Sequence, residues 1–293
     1  MLKNITLVFL WLVLVLGVYR LTNYGQFTPI TSHFMVQKEL IKATAFDQQG
    51  NQYVVGITYN PNFLNEANLS LKVPDIYQGQ PFVAKYEVGS NRGLFSVLLP
   101  CFANDIVVND QEEVYITGYA YENFNEFVEK NKGYDSTYHK GKNYTEGNCF
   151  VAKLNQNATD IIKATWIGNA NLKVPNSAIE TAQVYHIELF NNEPVITGIA
   201  AGEIPIMNVI EHESFRHTKA VNVRLGLGMG FIAKFNSELT GLYYCARLGS
   251  HYNGYAMVAP NSTLDLSIDE QGNACVKGMD QINTNKQQAF RIQ

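Results

Sequence analysis

The sequence predicts an all-β fold, a β-propeller that comprises four blades of four antiparallel strands each. Short apolar phrases recur in a fixed order along the 293 residues, which is typical of a repeat architecture. Many of these phrases are apolar without strict alternation, as in VYITGYA at 114–120, which indicates strands that are buried on both faces. Four-stranded sheets that are covered on both faces and repeat along a chain are the blades of a propeller.

The clearest phrase contains a glycine and is predicted to form the second strand of each unit, strand b. Its copies are QYVVGIT at 52–58, VYITGYA at 114–120, PVITGIA at 194–200 and ACVKGMD at 274–280. An apolar run, strand a, precedes each copy: IKATAFD at 41–47, DIVVND at 105–110, VYHIELF at 184–190 and LDLSID at 264–269. The segments between strands a and b are DQQGN, DQEE, NNE and DEQGN. Asp, Asn and Gly in such short segments favour tight hairpin turns.

Two further strands follow strand b. Strand c is FVAK at 82–85, FVAK at 150–153 and FIAK at 231–234, and Phe290-Arg291-Ile292-Gln293 is interpreted as a degraded fourth copy. Strand d is LFSVLLPC at 94–101, IIKATWIG at 161–168 and LYYCARLG at 242–249. The blades are therefore predicted near 41–101, 105–168, 184–249 and 264–293. Lys85, Lys153 and Lys234 recur at equivalent strand ends, so we interpret them as structural residues that pair with a neighbouring blade.

The phrases together resemble a known bacterial repeat. The run FIAKFNSELTG, then LYYCARLGS, then LDLSIDEQGNACVKG is similar to the bacterial β-propeller repeat called SBBP, and the resemblance covers most of residues 41–285. The second and third copies depart from that pattern because they lack the Gly-Asn turn, and the segments between strands b and c are longer than the family usually carries. The resemblance implies the fold and a location outside the cytoplasm. It does not imply a reaction.

The fourth unit has no strand d in the sequence, whereas a short β-like run, 33–37, lies upstream of the first strand a. We hypothesise that this N-terminal strand completes the fourth blade and closes the ring, because closure removes an exposed sheet edge. The alternative is an open propeller that a partner chain completes.

The N-terminal residues 1–25 are predicted to be a signal peptide or an N-terminal anchor, followed by a single propeller domain over 26–293. Lys3 precedes an apolar run from Ile5 to Tyr19, which is shorter than the roughly 20 residues of a membrane span and suits a signal peptide. A buried core segment is the remaining interpretation. We therefore expect a secreted, periplasmic or cell-surface protein that meets a membrane only through an uncleaved N-terminal segment.

Composition and spacing argue against several kinds of site. The net charge is -4, and no long basic run is present, so no nucleic-acid partner is expected. The four cysteines are widely spaced without a C-x-x-C pair, so they are interpreted as small buried apolar side chains. His212 and His217 do not have the H-E-x-x-H spacing. No metal site, no cofactor and no catalytic residue is predicted.

The long connections are predicted to lie at one end of the propeller. Strands alternate in direction, so the b–c and d–a connections share an end, and they are long at 59–80, 121–148, 201–229, 169–182 and 250–263. Long loops on a rigid scaffold commonly carry binding residues, and removal of 121–148 is expected to leave the fold intact. Aromatic, His and Arg side chains in these loops are typical of a recognition surface. The candidates are Tyr121, Phe124, Tyr134, Tyr138, His139, His212, Phe215, Arg216, His217, His251, Tyr252 and Tyr255.

The alternative for each of these aromatic residues is that it folds inward and fixes its loop. The function that the sequence favours is a binding or scaffold protein that recognises a protein or glycan partner with the long loops. A glycan-active hydrolase or lyase that uses the same end, and a structural subunit of a surface assembly, are the two alternatives.

Overall fold

The computed structural model describes residues 39–60, 79–90, 92–135, 148–167, 182–200, 229–248, 265–279 and 285–291. Within these ranges the chain forms almost only β-strands. Blade 1 contains β1 (Glu39–Phe46), β2 (Gln52–Thr58), β3 (Gln80–Tyr86) and β4 (Gly93–Leu98). Blade 2 contains β5 (Phe102–Val108), β6 (Val114–Ala120), β7 (Asn148–Leu154) and β8 (Ile161–Ile167). Blade 3 contains β9 (Ala182–Phe190), β10 (Glu193–Ala200), β11 (Met229–Phe235) and β12 (Leu242–Leu248), and blade 4 contains β13 (Asp265–Ile268), β14 (Asn273–Met279) and β15 (Asn285–Arg291).

Each blade is an antiparallel sheet in which the strands follow sequence order, so strands a to d run from one edge of the blade to the other. The first strands of successive blades pack together, β1 on β5, β5 on β9 and β9 on β13, so strand a is the innermost strand. The prediction of a four-bladed propeller is confirmed. Blade 4 has three strands in the described part of the chain. The proposed closing strand at 33–37 and the N-terminal residues 1–25 lie outside the described residues, and none of the described helices is long and apolar enough to span a bilayer.

The recurrent glycine of strand b is explained by an irregularity in strand a. The pairing of β5 with β6 skips one residue between Ala103 and Asp105, directly beside the partner of Gly118. A Cβ atom on Gly118 would lie 2.0 Å from the carbonyl oxygen of Phe102, and one on Gly56 would lie 2.4 Å from that of Leu40. A carbonyl oxygen at that distance leaves no room for any side chain, so glycine recurs because the bulged inner strand presses against it.

The core consists of apolar layers between successive blades. One layer joins blades 1 and 2 and includes Tyr53, Phe95 and Trp166. A second joins blades 2 and 3 and includes Phe231 and Leu239, and a third joins blades 3 and 4. Burial of a large apolar side chain contributes roughly 1.5–3 kcal/mol, so each blade is stabilised mainly through its neighbours. The expectation that the strands are buried on both faces is confirmed by the pattern of β6, in which only Tyr119 is partly exposed.

Three of the four cysteines are buried side chains, as the sequence predicts. These are Cys101, Cys149 and Cys245, whereas Cys275 is partly exposed. Burial raises the pKa of the Cys149 thiol to about 12 and that of Cys101 well above its ordinary value. The three buried thiols therefore act as small apolar groups.

Strand c of blade 4 differs from the alignment. The expected copy of the FVAK phrase was 290–293, yet β15 begins at Asn285. The phenylalanine of each FVAK phrase pairs with the recurrent glycine, as Phe82 does with Gly56, but Gly278 pairs with Lys286. The register therefore places residues 286–289 in the FVAK positions, and Ala289 stands where the other blades have lysine. The interpretation of 290–293 as that phrase is wrong.

Candidate functional site

The two ends of the propeller are built differently. The a–b and c–d turns share one end, which we call the turn end. Those between described strands are short: 47–51, 87–92, 109–113, 155–160, 191–192, 236–241 and 269–272. The b–c and d–a connections share the other end, which we call the long-loop end. They span 59–79, 121–147 and 201–228, then 168–181 and 249–264, whereas two of them, 99–101 and 280–284, are short. These strand bounds confirm the prediction that the long connections lie at one end of the propeller.

The a–b turns of blades 1, 2 and 4 keep one backbone geometry although their sequences differ: the N–H of Gly50, Glu112 or Gly272 donates to the carbonyl three residues earlier. Gly50 and Gly272 adopt φ angles of +83° and +77°, the left-handed region that glycine enters without strain. In blade 2, which lacks the glycine, Glu112 takes the left-handed region with φ of 60°. Blade 3 has a shorter, two-residue turn in which Asn191 and Asn192 are both left-handed, with φ of 55° and 60°. Asparagine tolerates this region better than most residues. The turn is therefore retained in blade 2, where the sequence repeat is lost, and is replaced by a tighter turn in blade 3.

A buried lysine at the end of strand c holds the turn end together in blade 1. The Nζ atom of Lys85 lies 2.9 Å from Oδ2 of Asp47 in its own blade and 3.1 Å from Oε2 of Glu112 in blade 2. It also lies 4.7 Å from the ring centroid of Tyr53. Burial alone would lower the pKa of Lys85, but these contacts outweigh it and raise the pKa well above the ordinary value. The ammonium is therefore charged and paired.

The equivalent lysines of blades 2 and 3 make the same type of contact. Lys153 Nζ lies 3.0 Å from Glu113 in its own blade and 2.7 Å from Glu238 in blade 3, and Lys234 Nζ lies 2.8 Å from Glu193. Their side chains are 4 % exposed. The interpretation of the recurrent lysines as structural residues is confirmed, and two of them bridge to the next blade.

The long-loop end carries a group of four aromatic side chains, Tyr59, Phe102, Tyr119 and Tyr121, which we call the aromatic cluster. Phe102 and Tyr119 form a cross-strand pair whose rings are stacked, with centroids 5.0 Å apart and planes 4° apart. The Tyr121 ring stands edge-on to both, at 6.0 Å from Phe102 and 6.1 Å from Tyr119. Burial raises the pKa of the Tyr119 phenol, and the nearby phenols of Tyr121 and Tyr59 raise it further.

Tyr59 gives the cluster its most exposed ring. Its side chain is 47 % exposed, and it packs against Gly79, where a Cβ atom would lie 2.9 Å from the Cε1 atom of Tyr59. Gly79 has a φ angle of +75°, so both its conformation and the ring favour glycine there. Tyr119 and Tyr121 are half-buried, and Phe102 is buried beneath them. The cluster therefore combines a fixed base with partly exposed phenols.

Three of the twelve predicted candidates lie in the described residues. Tyr121 belongs to the aromatic cluster, whereas Phe124 is fully buried between Phe150, with ring centroids 4.8 Å apart, and Trp166, at 5.5 Å. Phe124 therefore folds inward and fixes its loop, the alternative that the sequence left open. The other candidates lie outside the described residues: Tyr138, His139, His212, Phe215, Arg216, His217, His251, Tyr252 and Tyr255.

Tyr134 is 37 % exposed, but the structure places it beside a turn of the opposite end. Its backbone N–H donates to the carbonyl of Leu239 at 2.7 Å, and its ring meets Phe235 edge-on at 6.3 Å. Leu239 belongs to the c–d turn of blade 3, so Tyr134 does not belong to the aromatic cluster. Its expected place on the long-loop surface is corrected accordingly.

The first half of the second b–c connection is part of the fold. After a 3-10 turn at Glu122–Phe124, helix α1 runs over Asn125–Lys130 and buries Val128. Residues 131–135 then pair in parallel with β8, where the N–H of Gly133 donates to Ala164 at 2.9 Å and that of Trp166 donates to Asp135 at 2.9 Å. This segment covers the outer edge of blade 2. The expectation that 121–148 can be removed without harm is therefore wrong.

No group of three His, Cys, Asp or Glu side chains that could hold a metal ion occurs among the described residues. A histidine–carboxylate pair lies between the inner strands, where Nδ1 of His186 is 3.4 Å from Oδ2 of Asp105. The same carboxylate oxygen accepts from the N–H of Ile187 at 2.9 Å. This pair joins blade 3 to blade 2, so its geometry is that of a structural contact.

Sequence reasoning missed three members of the aromatic cluster, Tyr59, Phe102 and Tyr119. The signal that could have found them is their position at strand ends. Tyr59 directly follows β2, Phe102 begins β5 and Tyr119 nearly ends β6, and all three of these strand ends point to the long-loop end. These residues are far apart in the sequence, and only the pairing and packing of the strands bring them close together.

Comparisons with known proteins show similarity of fold only. No family model matches the chain, and no curated protein matches it. Similar solved structures include the Hadza microbial sialidase Hz136, with 7% identity and a TM-score of 0.47 over 87% of this chain and 45% of that one. The Neurospora crassa Pan2 WD40 domain has 11% identity and a TM-score of 0.36 over 86% of this chain and 54% of that one. The Cps50 (Swd1) β-propeller domain of Myceliophteria thermophila has 7% identity and a TM-score of 0.26 over 90% and 86%. The chain spans about half the length of the first two.

Proposed function

We propose that this chain is an extracytoplasmic binding or scaffold protein that recognises a protein or glycan partner with its long-loop end. The observation that carries the proposal is the contrast between the two ends. The turn end consists of short turns that lysine ion pairs join. The long-loop end combines the long connections with the aromatic cluster.

The aromatic cluster has the properties of a contact surface. Tyrosine presents a large, rigid area together with a hydroxyl group that both donates and accepts hydrogen bonds. Tyr59, Tyr119 and Tyr121 are partly exposed, and the stack of Tyr119 on the buried Phe102 holds one ring of this surface in place. A surface that is fixed before binding loses little conformational entropy when the partner arrives. These features favour recognition over a purely internal role.

The test compares the two ends in one binding experiment. Purified full-length protein is applied to arrays of defined oligosaccharides and of defined extracellular protein domains, alongside a Tyr59→Ala/Tyr121→Ala variant and a turn-end control, Glu87→Ala. Glu87 is a matched control because it is a surface residue of a c–d turn whose contacts are to the neighbouring Ser90 and Arg92. Circular dichroism verifies that all three proteins are folded.

We expect the wild-type protein and the Glu87→Ala variant to bind the same probes, and the double variant to lose them. Binding that survives the double variant, or that the Glu87→Ala change removes, contradicts the proposal. The proposal also fails if the wild-type protein binds nothing on either array beyond what the double variant binds.

A further inference from the structure

Three rings of the aromatic cluster, those of Phe102, Tyr119 and Tyr121, are in direct contact. Their centroids are 5.0–6.1 Å apart, which is the range of contact between aromatic side chains, so no ligand group fits between these three rings. A ligand of the cluster therefore contacts their exposed parts or the Tyr59 ring, with an apolar face toward them.

The cluster also carries hydrogen-bonding groups but no charge. Its three phenols can each donate and accept one or more hydrogen bonds, and burial raises the pKa of Tyr119, which keeps that phenol protonated. Many of the described carboxylates lie in the turns of the opposite end, as Glu87, Asp110 and Glu238 do, whereas Glu39, at the long-loop end, hydrogen-bonds with Thr58. The rings and phenols of the cluster are themselves uncharged and match an uncharged ligand with many hydroxyl groups.

We infer that the aromatic cluster is a stacking platform for a neutral glycan, whose pyranose ring lies on Tyr59 or on the edge of the Tyr119–Tyr121 pair. A pyranose has an apolar face of C–H groups and a rim of hydroxyl groups. Its C–H face would pack on the aromatic rings, and its hydroxyl groups would form hydrogen bonds with the phenols. This inference rests on the proposed function, since it names the ligand class of the same end.

A proline-rich peptide is the strongest competing ligand, because such peptides also bind aromatic surfaces. They insert prolines into grooves between separated aromatic side chains, and the rings of Phe102, Tyr119 and Tyr121 leave no groove between them. The geometry therefore favours the sugar, and the peptide serves as a comparison in the experiment.

The experiment measures binding of soluble probes by isothermal titration calorimetry. The probes are neutral hexasaccharides of β-1,4-glucose, β-1,4-mannose, β-1,4-xylose and β-1,4-N-acetylglucosamine, together with a proline-rich decapeptide. The variants are Tyr59→Ala, Tyr121→Ala and Tyr121→Phe. Tyr243→Ala is the matched control, because Tyr243 is 45 % exposed and lies beside the c–d turn of blade 3.

We expect at least one hexasaccharide to bind, with affinity about tenfold weaker in Tyr59→Ala or Tyr121→Ala, which corresponds to about 1.4 kcal/mol. Tyr121→Phe keeps the ring and removes the hydroxyl, so it is expected to lose about threefold. Tyr243→Ala is expected to bind as the wild type does. Each variant is compared with the wild type in thermal unfolding, and Tyr59→Ala remains decisive if Tyr121→Ala is unstable, because Tyr59 is already half exposed.

Two results overturn the inference. If no hexasaccharide binds, or if binding does not respond to either alanine variant, the cluster is not a glycan platform. If only the peptide binds, and the same substitutions abolish that binding, the glycan inference fails while the proposed function of the long-loop end stands. In contrast, if binding to the arrays is unchanged in the Tyr59→Ala/Tyr121→Ala variant, the proposed function itself is contradicted.

Discussion

Replacement of Lys153 by methionine tests whether the buried lysines stabilise the turn end. Methionine has an unbranched apolar side chain that is one heavy atom shorter than that of lysine, so the change removes the ammonium group and creates little cavity. The ammonium contacts Glu113 at 3.0 Å and Glu238 at 2.7 Å, and its loss leaves two carboxylates near each other without a cation. Removal of one partner from a buried ion pair costs about 3–5 kcal/mol.

The expected cost at this position is lower, because the two carboxylates are less buried than the lysine. The side chain of Glu113 is 27 % exposed and that of Glu238 is 54 % exposed, so both can turn toward water. We therefore expect Lys153→Met to reduce the free energy of unfolding by about 2–3 kcal/mol. Glu238→Gln alone should cost about 1 kcal/mol or less, since Glu113 still pairs with the lysine.

Urea unfolding, followed by circular dichroism and by tryptophan fluorescence, measures these differences, and equal m-values verify that the comparison is valid. The control is Lys130→Met, at the exposed end of α1, which should change stability by no more than about 0.5 kcal/mol. In the double variant Lys153→Met/Glu238→Gln the two costs should not add, because the residues interact directly. A Lys153→Met variant as stable as Lys130→Met would refute the reasoning.

The pH dependence follows from the same contacts. Burial would lower the pKa of Lys153, but the hydrogen bonds with Glu238 and Glu113 raise it above the ordinary value. The stabilisation by this lysine is therefore complete below the unfolded pKa of about 10.4 and is lost as the pH rises through the folded value. The difference between wild type and Lys153→Met should accordingly be constant from pH 7 to about pH 9.

Three further predictions follow from packing. Gly118→Ala should cost about 3 kcal/mol or more in urea unfolding, because its Cβ would lie 2.0 Å from a carbonyl oxygen, whereas Gly93→Ala, with nothing within 4 Å, should be nearly neutral. Phe124→Ala should cost about 3–5 kcal/mol and shift tryptophan emission to the red, since the ring packs on the indole of Trp166; unchanged emission and stability would contradict its core role. Cys275 should react first with a thiol reagent in the native protein, because it is the partly exposed one; equal rates for Cys101, Cys149, Cys245 and Cys275 would contradict the structure.

Local sequence predicted the strands well because each strand is a short apolar run with turn residues at its ends. The bounds of β2, Gln52–Thr58, and of β6, Val114–Ala120, coincide with the phrases that define strand b. The register of blade 4 could not be predicted in this way. Residues 285–291 contain mostly polar side chains, so no hydrophobic pattern marks the positions that the pairing with β14 assigns to them.

The role of Phe124 was hidden for a different reason. The surrounding sequence YENFNEFVEK is polar, so an aromatic residue within it was interpreted as an exposed loop residue. Phe124, Phe127 and Val128 have the i, i+3, i+4 spacing of one helix face, and this pattern marks α1 as an element that packs on the blade. The partners of the buried lysines could not be predicted from the sequence either, because Glu112 and Glu238 come from neighbouring blades.

Blade 2 contacts blade 3 at three places along its strands, and these contacts hold the blade that carries most of the aromatic cluster. At the turn end Lys153 contacts Glu238; between the inner strands the side-chain amide of Asn104 donates to the carbonyl of Val184 at 2.9 Å; at the outer edge Tyr134 donates to Leu239. Phe102, Tyr119 and Tyr121 all belong to blade 2 or directly follow its strand b. Rings on a blade that is fixed at its turn end, its inner strand and its edge keep their relative positions, which is the preorganisation that the proposed binding surface requires. We therefore expect a substitution that weakens the turn end to reduce binding at the proposed surface only if it also loosens blade 2.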